Sequence, residues 1–471
     1  MKLSSAFIAI VALVGAGANA QSQCSSNGLR KEIRSLSPQE WGRVSSVLRT
    51  MQSSGWLGWF AYLHNQNYLI VHGNELFFPW HRRYVRDFES IGQQIDRNFV
   101  LPYWDVLRDY ANPAGSAVLS GNYLGTNGQA GQCVRDGLQN GWTMSFPNNH
   151  CLQRQYNAGN RINAWYSPEY IQSLLSRSTR MSQFRPAIEV TIHGAIHLGL
   201  GGEMLKPYSP NDLAFWFHHA NIDRLWSVWQ TMNPNQNFWS MDGVDNHGRP
   251  MGYGTRIPHY NDPVINTMRQ GVNNMCFFYD NGGSVSNNRR SLMDKRDNTK
   301  KCITRPPVSM PALVEGVFDD VNTVPVPADT YVQTTIAQKV PVAVLDKWFP
   351  TYTPGVAPNN TASYSAVDIP STPLYSNTLP LDSAVNKCRN SSLRNPSAVY
   401  SEEYHVFGPV KEGKSGPKYP MPNPFPNTNS FIKMHNYPIS EIQKQYDLAR
   451  EFVGDMNAAG YQSPFAKGAT A

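Results

Sequence analysis

A mainly α protein is what this sequence predicts: a helical bundle with histidines turned toward its core, followed by a proline-rich, partly β C-terminal region. Three observations carry that expectation. Four segments before residue 302 have helical spacing or helix-start signals. Six histidines fall into two groups of three, each ending in an aromatic-flanked helical segment. Of 34 prolines, 21 follow residue 302, where Trp348 is the one tryptophan and His405 and His435 are the two histidines.

Taken in chain order, residues 1–20 read as an export signal: Lys2, an apolar stretch from Ala6 to Gly17, and Ala18-Asn19-Ala20 as a cleavage site. That stretch is too short to span a bilayer. The first helix is expected over Pro38–Ser53, with Ser37 as N-cap and Pro38 at the first helical position. Trp80–Gln94 follows, with Tyr84, Val85, Phe88, Ile91 and Ile95 near helical spacing; Phe184–Leu198 and Asn211–Trp229 complete the four. The domain division is 21–302 for the histidine-bearing part and 303–471 for a C-terminal region packed on it or shielding it. In the latter, Tyr331–Thr335 and Val340–Val344 read as short strands and Ser440–Met456 as a helix. Arg289-Arg290 and Lys295-Arg296 lie in a polar loop between the two parts.

Six cysteines in an exported chain imply three disulfides. Local closure favours Cys133–Cys151 and Cys276–Cys302, leaving Cys24 with Cys388. The sequons at Asn359 and Asn390 fit the same secreted, extracellular route. A net charge of +7 with scattered Lys and Arg argues for solubility and against nucleic-acid binding, and nothing suggests a membrane partner.

The histidines carry the chemistry. His64, His72 and His81 form the first group; His193, His197 and His219 the second. His193 and His197 are four residues apart, so a helix puts both rings on one face. The glutamate of a zinc-protease H-E-x-x-H is missing, because residue 194 is glycine. Two sets of three neutral imidazoles suit a pair of soft-to-borderline metals, copper above all.

With Phe77-Phe78-Pro79-Trp80-His81-Arg82, Leu101-Pro102-Tyr103-Trp104-Asp105, and His193–His197 followed by Gly201-Gly202 and Asp212 to Asp223-Arg224, the chain resembles the tyrosinase/catechol oxidase family of type-3 copper proteins, which includes molluscan hemocyanins. The resemblance covers about residues 60–230. It implies a helical bundle holding two copper ions, one on each triad. From a helix only one of the adjacent His218 and His219 is expected to reach the metal, and the resemblance picks His219, leaving His218 behind it with Asp223 and Arg82. Phe215, Gly194 and Leu198 would line the substrate pocket. The implied reaction uses O2 to oxidise o-diphenols to o-quinones.

Monophenol hydroxylation would need a water held between Glu189 and an asparagine after His193. Gly194 stands there instead, so hydroxylation is expected to be weak or absent, with Glu189 the catalytic candidate that remains. No cysteine lies near His72 to form a thioether with it. Asp212-Leu213 replaces the usual Asp-Pro, which predicts a less rigid loop. Rival readings are a full tyrosinase serving melanin formation, an o-aminophenol oxidase, and an oxygen carrier, against which stands the single copper domain without repeats.

Overall fold

The computed structural model describes residues 24, 28–272, 274–280, 340, 342–350, 352, 420–435 and 437–466. The export signal, the strand expected at 331–335, both sequons, both dibasic pairs, Cys302 and Cys388 lie outside the described residues. Helix dominates. The main helices are α1 (Pro38–Ser53), α2 (Trp56–Val71), α3 (Phe77–Ile95), α4 (Pro168–Arg177), α5 (Met181–Ile188), α6 (Gly194–Leu200) and α7 (Leu213–Met232). No helix among the described residues is long and apolar enough to cross a membrane.

Helix α1 starts as its sequence requires. The Ser37 hydroxyl accepts from the Glu40 N–H at 3.2 Å while the Glu40 carboxylate accepts from the Ser37 N–H at 2.8 Å, a reciprocal capping box. Helices α3 and α7 form the centre, pressed together by aromatic rings: Trp216 of α7 stacks on Phe88 of α3 at 3.6 Å and on Tyr84 at 4.9 Å. Phe184 of α5 lies flat against Trp229 of α7 at 4.4 Å. Between α5 and α6, residues Glu189–His193 form a π-helical turn. Such a turn carries an extra residue and recurs at functional sites. Gly201 ends α6 at φ 62°, and a Cβ there would strike the Gln155 carbonyl, so only glycine fits.

Charges are buried beneath this bundle, and they are paired. Strand β1 (Gly28–Arg30) lies parallel to β4 (Phe277–Tyr279), which brings Arg30 beside Tyr279. Arg30 forks onto Glu89 at 3.1 and 3.2 Å, Arg86 reaches Glu89 at 3.0 Å, and Tyr279 donates to Asp223 at 2.6 Å. Strands β2 (Thr143–Met144) and β3 (His150–Cys151) make a small antiparallel pair beside the Cys133–Cys151 disulfide.

That disulfide is the one local closure favours. The other expectation is corrected: Cys276 bonds to Cys24, 252 residues away, rather than to Cys302. The β1–β4 pairing places the two ends together, which sequence distance conceals. The strand expected at Val340–Val344 is also corrected. A helix, α8 (Val342–Trp348), takes its place and buries Val344, Leu345 and Trp348 along one face. Two more helices follow, α9 (Asn429–Met434) and α10 (Ile439–Ala458), and the described residues of 303–471 contain no strand. Residues of α8 and α10 join the main core: Phe452 sits between Trp348, Phe349 and Tyr170 at 5.3 to 6.0 Å.

Candidate metal centre

Each histidine triad is assembled from different elements. His64 comes from within α2, His72 caps its C-terminal end, and His81 lies in the first turns of α3. His193 ends the π-helical turn, His197 is in α6, and His219 is in α7. The three helices of the second set meet those of the first across the α3–α7 contact. All six rings are buried.

Backbone carbonyls fix the tautomers. His64 Nδ1 bonds to the Pro207 carbonyl at 2.6 Å, His72 to Tyr68 at 2.8 Å, and His81 to Phe77 at 2.7 Å. His193 bonds to the Glu189 carbonyl at 3.1 Å and His197 to Met204 at 2.7 Å. A carbonyl only accepts, so Nδ1 is the protonated nitrogen in all five and Nε2 carries a bare lone pair. The Nε2 atoms of His64, His81 and His193 are buried without a hydrogen-bond partner among the described residues. Burial pushes His72 down to about 3 and His197 to about 4, so both stay neutral near pH 7. Neutral, carbonyl-oriented imidazoles with orphaned Nε2 atoms are the state that receives a metal. The residues fit copper.

His64, His72 and His81 bring their nitrogens within 4.8 Å of one another. In the second set the trio meeting that distance is His193, His197 and His218. His219 lies between the sets: its Nε2 is 3.4 Å from His197 Nε2, and its ring stacks on His81 at 4.4 Å. The expectation that one of the adjacent pair turns away is therefore corrected. Consecutive helix positions diverge by about 100°, and a site this wide lets both rings reach it.

A family model described as the common central domain of tyrosinase matches residues 57–232. A tyrosinase of Streptomyces antibioticus is 30% identical over 246 residues, covering 46% of this chain and 88% of its own. The chain belongs to the tyrosinase family. It is a copper oxidoreductase of that family. A second relative, a tyrosinase of Streptomyces glaucescens, is 28% identical over 242 residues, covering 46% of this chain and 87% of its own. A solved polyphenol oxidase mutant from Thermothelomyces thermophila overlaps with a TM-score of 0.44 at 20% identity, over 54% of this chain and 88% of that one.

The remaining site residues of this tyrosinase-family chain fall into place around the histidines. Phe215 stacks on His219 at 4.0 Å and meets His64 edge-on at 5.0 Å. Arg82 and Asp223 bond to each other, and Arg82 also donates to Ser227 and the Thr267 carbonyl. They brace α3 against α7, while backbone carbonyls orient five of the ring nitrogens. The loop at Asp212-Leu213 is corrected too. Arg154 forks onto Asp212 at 2.7 Å twice, and the Leu213 N–H, which a proline would lack, donates to Gln139 at 2.8 Å. Leucine there gains an anchor.

Glu189 is fully buried, and burial pushes its carboxyl up against the pull of Arg185. It accepts from the Gly73 N–H at 2.8 Å, Arg185 at 3.0 Å and the Tyr437 hydroxyl at 3.1 Å. The space beside Gly194 is filled. A Cβ there would come 3.1 Å from Phe431 and 3.3 Å from Asn427. Leu198 packs in the same apolar cluster as Phe431, Ile432, Tyr437 and Ile442. Asn427, Phe431, His435 and Tyr437 thus come from 420–437 to cover the histidines, and sequence reasoning missed all four. The aromatic neighbours of His435, one of two histidines beyond residue 302, were the available signal.

Proposed function

We propose that the chain holds two copper ions, one on His64, His72 and His81 and the other on His193, His197 and His219, and uses O2 to oxidise o-diphenols to o-quinones. The observation that carries this is the set of five Nδ1–carbonyl hydrogen bonds, which leaves five Nε2 lone pairs for metal. The 3.4 Å between His197 Nε2 and His219 Nε2 supports His219 over His218. Two rings that would share one copper must bring their lone pairs close together, as His197 and His219 do.

Copper, when bound, supplies the redox chemistry, so that two catechols and one O2 give two quinones and two waters. The protein does the rest. Phe215 offers a ring edge beside His64 for the substrate ring, and burial of all six imidazoles keeps bulk water away from the reacting atoms. Glu189 is committed to three donors, and position 194 has no side chain to hold a water with it. That supports diphenol oxidation with weak monophenol hydroxylation.

We also infer that residues 303–471 act as an integral cover that opens to admit substrate. No disulfide among the described residues ties it down, since Cys24 is taken by Cys276. Its support is the burial of α8 and α10 in the main core. Two disulfides among the described residues support an oxidising, extracellular location.

Metal analysis should give two copper equivalents per chain, and initial rates should rank 4-tert-butylcatechol far above tyramine, with 2-aminophenol as the third probe. Brisk hydroxylation of tyramine without a lag would overturn the diphenolase reading. Limited proteolysis on non-reducing gels tests the cover: loss of the segment with activity unchanged would sink its shielding role.

A further inference from the structure

His435 lies 216 residues after His219, yet its ring is buried against both triads. It is 2% exposed. Ring centroids are 5.4 Å from His72, 6.3 Å from His193 and 6.5 Å from His197. Within the first triad the separations are 5.4 Å for His64–His72, 4.9 Å for His72–His81 and 5.7 Å for His64–His81. His435 is thus as close to His72 as His64 is.

Its tautomer is fixed in the same way as theirs. Nδ1 bonds at 3.0 Å to the carbonyl of Phe431, four residues earlier. His72, His81 and His193 likewise bond to the carbonyl four residues earlier. The proton is therefore on Nδ1, and Nε2 is a lone-pair acceptor. The ring is clamped between Phe431 at 3.8 Å and Tyr437 at 4.9 Å. Those neighbours are pinned to the π-helical turn that carries His193: Tyr437 to the Glu189 carboxylate, and Asn427 to the Val190 carbonyl at 2.7 Å. The Tyr68 ring is 5.1 Å away, but its hydroxyl makes no hydrogen bond among the described residues.

A steric plug needs only bulk. A clamped imidazole whose Nε2 lone pair is left over beside His72, His193 and His197 is an odd choice of filler where a phenyl ring would serve. A cation is the partner that acceptors can share.

We propose that His435 is a seventh copper ligand, delivered by the C-terminal segment to the metal of the first triad. The inference rests on the dicopper reading above. The cover then closes the site by coordination as well as by bulk, and its opening breaks a metal–nitrogen bond.

The test uses the full chain loaded with copper. Copper content is measured first: fewer than two equivalents in the wild type overturns the dicopper reading and this inference with it. With two present, His435→Phe keeps an aromatic filler and removes the nitrogen, and His435→Ala removes both. Expected are a shifted visible absorption of the cupric form in both variants and loss of one copper to a competing chelator about tenfold faster than wild type, the low end for altered metal surroundings. Added imidazole should return the His435→Ala spectrum toward wild type, and this arm decides if His435→Phe fails to fold. Wild-type spectrum and chelator rate in His435→Phe, or no imidazole effect on His435→Ala, would overturn the assignment.

Discussion

The helices that carry the triads and the C-terminal segment that covers them are held by different forces. Among the described residues, the bundle contains fully buried ion pairs such as Arg30–Glu89, Arg82–Asp223 and Arg154–Asp212, along with two disulfides. Among the described residues, the ion pairs of the segment lie at the surface, Lys347 with Glu451 and Asp455 and Lys444 with Glu441, and they contribute little. Its attachment rests on apolar burial and a few hydrogen bonds. A buried, paired charge tolerates no displacement, since removing one partner strands the other. An apolar contact can part and re-form. The frame is therefore held more rigidly than the segment, in keeping with the opening proposed above.

The largest effects should come from the frame. His81→Ala or His197→Ala should each lose one copper and bring diphenol-dependent O2 uptake to background; full activity in either would break the assignment. His219→Ala should do the same while His218→Ala keeps both coppers, and the reverse result would exchange their roles.

Arg82→Met should cost about 3–5 kcal/mol in denaturant unfolding, because Asp223 is left buried with its main partner gone. A loss under 1 kcal/mol would show that Arg30 and Tyr279 suffice for Asp223.

In the cover, Phe452→Ala removes a fully buried ring and should weaken the packing of α10 by about 3–5 kcal/mol. Diphenol oxidase activity should rise severalfold, and proteases should cut the segment sooner while the bundle stays intact. If activity falls instead, the cover supports the site rather than restricting it.

Gly194→Asn gives a smaller effect with two readouts. It should raise the monophenol-to-diphenol rate ratio, and it should also push against Phe431 and Asn427, loosening the cover by about 1–3 kcal/mol. An unchanged ratio once the cover is removed would show that Glu189 cannot serve even with an amide beside it. Tyr437→Phe comes last: it removes one of three donors to Glu189 and should cost about 1 kcal/mol.

Much of the frame was legible in the sequence. Ser37-Pro38 announces α1, and the aromatic spacing after Trp80 announces α3. The six triad histidines stand out because a core seldom gathers so many. Helix α2 was not legible: its buried residues, from Trp56 to Val71, leave little polar face, so the periodic pattern that marks a surface helix is faint. Helix α4 was missed despite Ser167-Pro168, the same start signal that marks α1. The π-helical turn has no sequence mark at all. The Cys24–Cys276 bond was hidden because a parallel strand pair, invisible in short windows, brings the partners together. The cover was hardest: a strand was expected at Val340–Val344, where α8 forms on a buried face, although the helix expected at Ser440–Met456 is there as α10.

The bond between Cys24 and Cys276 makes the described chain a ring with a tail. All six triad histidines are in the ring; His435 is in the tail. Protein synthesis runs from the N-terminus, so the ring's histidines leave the ribosome well before His435. Synthesis thus leaves an interval in which the triads exist without His435 beside them.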